Sequence, residues 1–367
     1  MKKSLIIVCL GLLFFSCSDD GTENTPVPTN NEIEDLLIET IAEEDIPGMI
    51  AAIIDDSGVR TIEAAGIRKV GSSDSLTVND LIHLGSCTKA MTSTLLATLV
   101  AEGLITWETT LVEVFPELQD SIHEDFHDIN LHQLVTHRAG VPANAKDWWL
   151  FQDLEIKERR VAMIKDNLTE ASQIASGEYH YSNLGYMIAG SMAEKVTNTS
   201  WEELMQERLF DQLGMSTAGF GIPGTIGVID QPWGHARNNG NWNAYQADNS
   251  EALGPAGTVH STFSDWAKFI SLQLPASEPA ILNRDRLDYL IDPVGQYASG
   301  WGVVQRSWAK GTALNHSGSN TIWFVIVWVA PELNRAFMVG TNSYDENTFS
   351  VSDRIIGELI AFDQSRD

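Results

Sequence analysis

Cysteine is scarce in this chain, at three residues in 367, and so is positive charge, with 23 lysines and arginines against 50 acids. Cys9 falls inside an apolar leader and Cys17 directly follows it, which leaves Cys87 alone in the body of the chain and excludes an internal disulfide framework. The formal charge of −27 repels phosphate backbones and anionic headgroups, so no nucleic-acid partner is expected. A solvated acidic surface is its simplest meaning. No apolar run is long enough to cross a bilayer: the longest at the start, Leu5 to Phe15, is too short for a span. Behind Lys2 and Lys3, it fits the hydrophobic region of a signal peptide over residues 1–16.

That run ends at Ser16-Cys17 and gives way to a polar tract, Ser18 to Asn31, with no hydrophobic periodicity. The arrangement resembles a bacterial lipoprotein signal. The resemblance implies cleavage before Cys17, lipidation of its thiol, and a tether over residues 17–31 that holds an exported domain off a membrane of the cell envelope, on the periplasmic side or at the cell surface. An ordinary signal peptide with an incidental cysteine is the plainer alternative.

With 43% hydrophobic residues the remainder, 32–367, has the means to bury a substantial core. Ile33, Leu36, Leu37 and Ile41 space an amphipathic helix over Glu32 to Asp45, stopped by Pro47-Gly48. Met49–Ile54 and Val59–Ala65 flank Asp55-Asp56-Ser57-Gly58 and read as a hairpin. Ile82 to Leu84 is a short apolar segment. From Ser86, residues Met91, Leu95, Leu96 and Leu99 recur at helical spacing until Gly103. Residues from about 104 to 285 read as mainly helical, clearest in Leu131–Thr136, Leu184–Val196 and Trp201–Leu209, the last preceded by a Ser200/Glu203 capping box. Beyond about 297 four strands are expected (Trp301–Arg306, Ala313–His316, Thr321–Val329, Ala336–Thr341), then a helix over Phe349–Phe362. This order predicts an α/β (α+β) fold: a lobe from both chain ends, about 32–85 and 290–367, with a mainly helical lobe inserted over about 86–289.

Ser86-Cys87-Thr88-Lys89 is an SxxK motif at a helix start, where spacing i, i+3 puts hydroxyl and ammonium on one face. The helix N-terminus adds partial positive charge, and the Ser86 N–H is an oxyanion donor in waiting. A lysine at its ordinary pKa of about 10.4 is no base at neutral pH, so burial or a neighbouring cation must lower it, or another residue must act. Ser307-Trp308-Ala309-Lys310 repeats the pattern in an expected turn with no helix after it, and reads as chance. What separates Ser86 from a mere helix cap is company. Tyr181-Ser182-Asn183 is a YxN just before a helix, and His316-Ser317-Gly318 ends a strand, where Gly318 permits close backbone approach and Ser319 N–H could complete an oxyanion pair.

SxxK, YxN and HxG in that order resemble the class C beta-lactamase family, which includes DD-peptidases, D-amino-acid amidases and many esterases. The resemblance covers about residues 33–362 and extends to Leu84-Gly85-Ser86, Leu134 to Gly140 (LVTHRAG), Leu213-Gly214-Met215 and Ala256-Gly257. It implies a beta-lactamase/transpeptidase-like fold, an antiparallel sheet flanked by helices. It also implies an acyl-enzyme on Ser86, Lys89 as its hydrogen-bonded partner, Tyr181 as general base and later acid, Asn183 as a clamp on Lys89 and the substrate amide, and no cofactor or metal. The phenol would need nearby cations to lower its ordinary pKa of about 10. The family's lactamases place a lysine where this chain has His316, which is mostly neutral at pH 7 and a weaker anchor for a carboxylate. The expected substrate is therefore a small molecule or peptide with an ester or amide bond and no obligatory carboxylate.

The sequence also offers patterns of other chemistries. His123-Glu124-Asp125-Phe126-His127 matches the zinc-peptidase HExxH, but lacks apolar periodicity and an evident third ligand, so an exposed acidic loop accounts for it better. His132 and His137 do not share a helical face, and His137 reads as a core histidine. No serine has the GxSxG setting of an α/β-hydrolase, and Tyr181-Ser182-Asn183 stands where class A lactamases carry SDN. Cys87 faces away from Ser86 and reads as packed. A penicillin-binding or sensor-type protein with little turnover is the second functional class.

Overall fold

A computed structural model describes residues 31–275 and 281–366. The signal peptide, Cys17 and the tether up to residue 30 lie outside the described residues.

Alternation along the first strand, Gly48–Asp55, explains the architecture. Met49, Ala51 and Ile53 face one side, where they pack with Ile33 and Leu37 of the helix Asn31–Glu43 and with Ile355, Ile356 and Leu359 of the helix Thr348–Gln364. Ile50, Ala52 and Ile54 face the other side and join the large core that holds Met91 and Leu95. With both faces covered the strand reads as one continuous apolar run. Gly58 closes the hairpin to Gly58–Gly66 at φ +115°, a conformation that favours glycine. The first strand also pairs antiparallel with the last, Met49 opposite Thr341 and Ile54 opposite Ala336, so the two chain ends share one sheet.

That sheet has six strands in the order Gly58–Gly66, Gly48–Asp55, Arg335–Thr341, Phe324–Ala330, Gly311–Ser319, Gly302–Arg306, every neighbour antiparallel. The expected C-terminal strands and final helix are all present within a few residues. The second SxxK occupies the turn between the last two strands of that order, with Lys310 at φ +58° donating its N–H back to Ser307 O.

Gly85–Cys87 forms a single 3₁₀ turn that runs into the helix Thr88–Ala101, whose residues Thr88 to Leu99 are all buried. A helix buried all round lies at the centre of a domain, and this one places Ser86 at the seam between sheet and helical layer. The helical layer contributes Asn183–Thr197, also largely buried, and Trp201–Met205 behind the expected Ser200/Glu203 capping box.

The middle region differs from expectation in two places. Ile82–His83, Val259–Ser261 and Gly219–Phe220 form a small three-stranded sheet, and Gly234–Asn238 pairs with Asn241–Tyr245 as a hairpin. This hairpin belongs with the sheet lobe: His235 N–H donates to Ile322 O, Tyr344 N–H donates to His235 O, and Arg237 pairs with Asp345 and Asp45. Its burial pattern is mostly exposed and intermediate, so it carried no apolar signal against which a strand could be read.

Candidate active site

Gly85 sits at φ +48°, and a Cβ there would stand 2.3 Å from Ser319 N. A Cβ on Gly318 would stand 2.0 Å from Leu84 O and 2.8 Å from Ser86 N. The two glycines thus interlock the Gly85–Cys87 turn with the end of the strand Gly311–Ser319, and bring the backbone nitrogens of Ser86 and Ser319 to one place. From behind, His83 accepts the Gly85 N–H on Nδ1 at 3.1 Å, so its proton is on Nε2, which donates to Asp248 Oδ1 at 2.6 Å. This buried pair was missed in the sequence, where 165 residues separate its members.

Lys89 is fully buried, and its Nζ has three partners: Ser86 Oγ at 3.1 Å, Asn183 Oδ1 at 2.7 Å and Ala256 O at 2.7 Å. Burial lowers its pKa to about 7. A neutral amine donates two hydrogens, which the amide and carbonyl oxygens take, and turns its lone pair to the Ser86 hydroxyl. Asn183 is held by its Nδ2, which donates to Asn144 Oδ1 at 2.7 Å.

Ser182 caps the helix Asn183–Thr197, its Oγ accepting the Gly185 N–H, and its extended backbone turns Tyr181 and Asn183 to the same side. The Tyr181 ring centroid lies 4.8 Å from Lys89 Nζ, which sets the phenol beside the Ser86–Lys89 pair. The expected lowering of its pKa does not occur. Burial pushes the phenol up, and the polar Ser86 side chain offsets only part of that, so Tyr181 is protonated at neutral pH. His137 is the core histidine expected, but it also supports the site: its Nδ1 accepts the Ser182 N–H and its ring lies 4.3 Å from that of Tyr181.

His316 is neutral, as anticipated. Burial, with Lys89 adding to it, lowers its pKa to about 3. Its Nδ1 faces Ser317 O at 2.7 Å, and a carbonyl only accepts, so the proton is on Nδ1 and Nε2 accepts from the Tyr297 hydroxyl at 3.2 Å. Both ring nitrogens are therefore occupied internally, leaving no N–H to hold a substrate carboxylate. Ser317 O takes the one N–H, and Tyr297, which nothing in the sequence singles out, occupies the other nitrogen.

Cys87 is packed, with its Sγ 3.8 Å from His316 O, and burial pushes its thiol up, away from the thiolate a nucleophile needs. The HExxH segment is one 3₁₀ turn, Glu124–Phe126, not the α-helix that would align His123 with His127. Trp148 and Trp149 are exposed against each other, and Trp233 lies under Lys69. A cleft of about 570 Å³ opens beside the site, lined by Tyr181, His316, Ser317 and Tyr297 and, farther out, by Tyr179 and Arg138.

The family described as Beta-lactamase matches residues 33–361. An unguisins hydrolase of Aspergillus violaceofuscus (strain CBS 115571) is 25% identical over 272 residues, 68% of this chain and 46% of that one. The chain thus spans about half the length of that relative. Penicillin-binding protein 4 of Amycolatopsis lactamdurans is 23% identical over 341 residues, 86% of this chain and 87% of that one. The fold is shared with a class C beta lactamase from Rhodobacter sphaeroides, at a TM-score of 0.74 and 17% identity over 90% of this chain and 100% of that one. A match over nearly the whole described length, on a fold of the same kind, places this chain in the beta-lactamase family.

Proposed function

We propose that the chain hydrolyses an ester or amide bond through an acyl-enzyme on Ser86, with Lys89 as the base that starts the reaction. The observation that carries this reading is the Lys89 amine, buried, lowered to about 7, and 3.1 Å from the Ser86 hydroxyl. In acylation, Ser86 Oγ attacks the carbonyl carbon as its proton passes to Lys89 Nζ, and the Ser86 and Ser319 N–H groups receive the oxyanion. Collapse breaks the bond to the leaving group, which takes the proton of Tyr181. This leaves an ammonium and a phenolate side by side. In deacylation, water gives a proton to that phenolate as it attacks the ester carbon, and the departing Ser86 Oγ recovers its proton from Lys89. Each group ends as it began, and Tyr181 serves as acid first and base second. Asn183 orients Lys89.

Because His316 has no N–H free, the reading favours substrates that need no carboxylate at that position, and places beta-lactams and DD-peptides behind simpler esters and amides. Relatives named as an unguisins hydrolase and a penicillin-binding protein support acyl transfer in general. The test is mass spectrometry of the intact protein after a fluorophosphonate, with hydrolysis of a nitrophenyl ester followed in parallel. We expect one adduct, mapped to Ser86, and hydrolysis that survives a chelator. Loss of hydrolysis on chelation, or an adduct elsewhere, refutes the reading, and a Ser86 adduct without turnover would make the chain a binding protein instead.

Export and attachment through Cys17 belong to the same proposal, supported by Lys2, Lys3, the Leu5–Phe15 run and Ser16-Cys17. Cys17→Ala is expected to move the protein from the membrane to the soluble fraction and to abolish labelling by a fatty-acid analogue. Labelling that persists in the variant would remove the anchor from the account.

A further inference from the structure

The cleft continues past the chemistry to Arg138. Among the described residues that line it, this guanidinium is the one charged side chain; the others are tyrosines, amides, small residues, Val304 and the neutral His316. Arg138 lies two aromatic rings beyond the reacting groups: its Cζ is 5.9 Å from the Tyr179 ring centroid, that ring is 5.7 Å from the Tyr297 ring and 6.0 Å from that of His137, and His137 lies against Tyr181.

Among the described residues, its hydrogen-bond partners are both backbone carbonyls. Arg68, Arg160, Arg237 and Arg335 each pair with an acid. Arg138 instead donates to two backbone carbonyls, Gly177 O at 2.8 Å from Nη1 and Val294 O at 2.6 Å from Nη2. Those bonds fix the plane of the guanidinium without neutralising it, and each terminal nitrogen retains a second N–H. A cation held in place over an aromatic ring, at the wall of a cleft in a chain with twice as many acids as bases, is preorganised for a planar anion.

We infer that Arg138 is a specificity-determining residue, and that the cleft takes substrates carrying a carboxylate at the end remote from the scissile bond. This rests on the hydrolase reading for the position of that bond, and it supplies at the cleft wall the anion contact that His316 cannot make. It also accounts for the carbonyl clamp, since an arginine free to swing would spend its contact energy on ordering.

The test separates recognition from turnover by using the Ser86→Ala chain, which holds substrate without acylating. Two matched pairs of nitroanilides serve as probes: one with an acyl chain ending in a carboxylate or its methyl ester, the other with the carboxylate or methyl ester on the leaving group. Binding is read by tryptophan fluorescence at low and at high salt. We expect the carboxylate of at least one pair to bind about tenfold more tightly than its ester, and the difference to shrink at high salt. It should vanish in Ser86→Ala/Arg138→Met and return in part in Ser86→Ala/Arg138→Lys. A thermal melt of each variant separates this from a loosening of the Gly177 and Val294 segments, which would weaken acid and ester alike. Equal affinities in both pairs, or a preference that survives Arg138→Met, overturns the inference. Turnover of the neutral esters by the unaltered chain reports separately on the hydrolase reading.

Discussion

Ser86→Ala and Lys89→Met should each lower kcat/KM for a neutral nitrophenyl ester by roughly 1,000-fold or more, and the double variant should be no slower than the worse single one. In the proposed mechanism nucleophile and base act as a unit: without the amine the hydroxyl keeps its proton, and without the hydroxyl the amine has nothing to activate. Multiplying losses in the double variant would mean that the two act independently, against the proposed proton transfer. The pH profile carries the same argument. The active form of Lys89 is the neutral amine, so kcat/KM of the unaltered chain should rise from pH 6 to 8 with a midpoint near 7, and the residual activity of Lys89→Met should lack that step.

Stability gives an independent reading of the same group. The pKa of Lys89 is about 7 when folded, against about 10.4 when unfolded, so between those values the unfolded chain binds the extra proton. Stability must then rise with pH across that window, and the cost of burying the ammonium is fully present below pH 7. Lys89→Met removes this dependence. Relative to the unaltered chain, the variant should gain about 2 to 3 kcal/mol more at pH 6 than at pH 9. Its absolute stability also reflects the partners that Asn183 Oδ1 and Ala256 O lose, which is why the difference between the two pH values is the quantity to measure. Denaturant titrations at both would check it, and equal offsets would place Lys89 in a far wetter site.

The second large effect is expected from Gly318→Val. Its Cβ would meet Leu84 O at 2.0 Å and Ser86 N at 2.8 Å, both backbone atoms that no rotamer change can move. The strand end must draw back from the nucleophile turn, separating the Ser86 and Ser319 N–H groups. Loss of one oxyanion donor alone lowers kcat about 100- to 1,000-fold, and the forced shift costs about 1–3 kcal/mol in stability. KM should move far less than kcat, because the donors act on charge that develops only during reaction. Near-normal kcat would show that the interlock is packing alone.

Ser86 and Lys89 were legible because their relation is local: three residues on a helix face hold them together whatever the rest of the chain does. The first hairpin and the four late strands were legible for a similar reason, as apolar runs bounded by turn residues. Tyr181, Asn183 and His316 were found as motifs, with roles drawn from resemblance, and nothing in their spacing to Ser86 says that they meet it. His83 with Asp248 and Tyr297 behind His316 were not found at all, and Arg138 stood only within the LVTHRAG segment with no role, since each acquires its meaning from partners distant in sequence. The hairpin Gly234–Asn238/Asn241–Tyr245 escaped because its side chains are largely exposed, so no alternation records which face is inside.

By itself the sequence determined the elements at the two chain ends, their assembly into one lobe, and the hydroxyl–amine pair at the start of a buried helix, because periodicity and helix geometry act over a few residues. Only the tertiary structure decided the protonation states of Lys89 and Tyr181 and which contacts occupy His316. Burial, a property of the whole packed molecule, lowers Lys89 to about 7, raises Tyr181, and keeps His316 neutral with both nitrogens occupied. Which residue can act as base, and which end of the cleft can hold an anion, follows from desolvation and long-range contacts that no local pattern encodes.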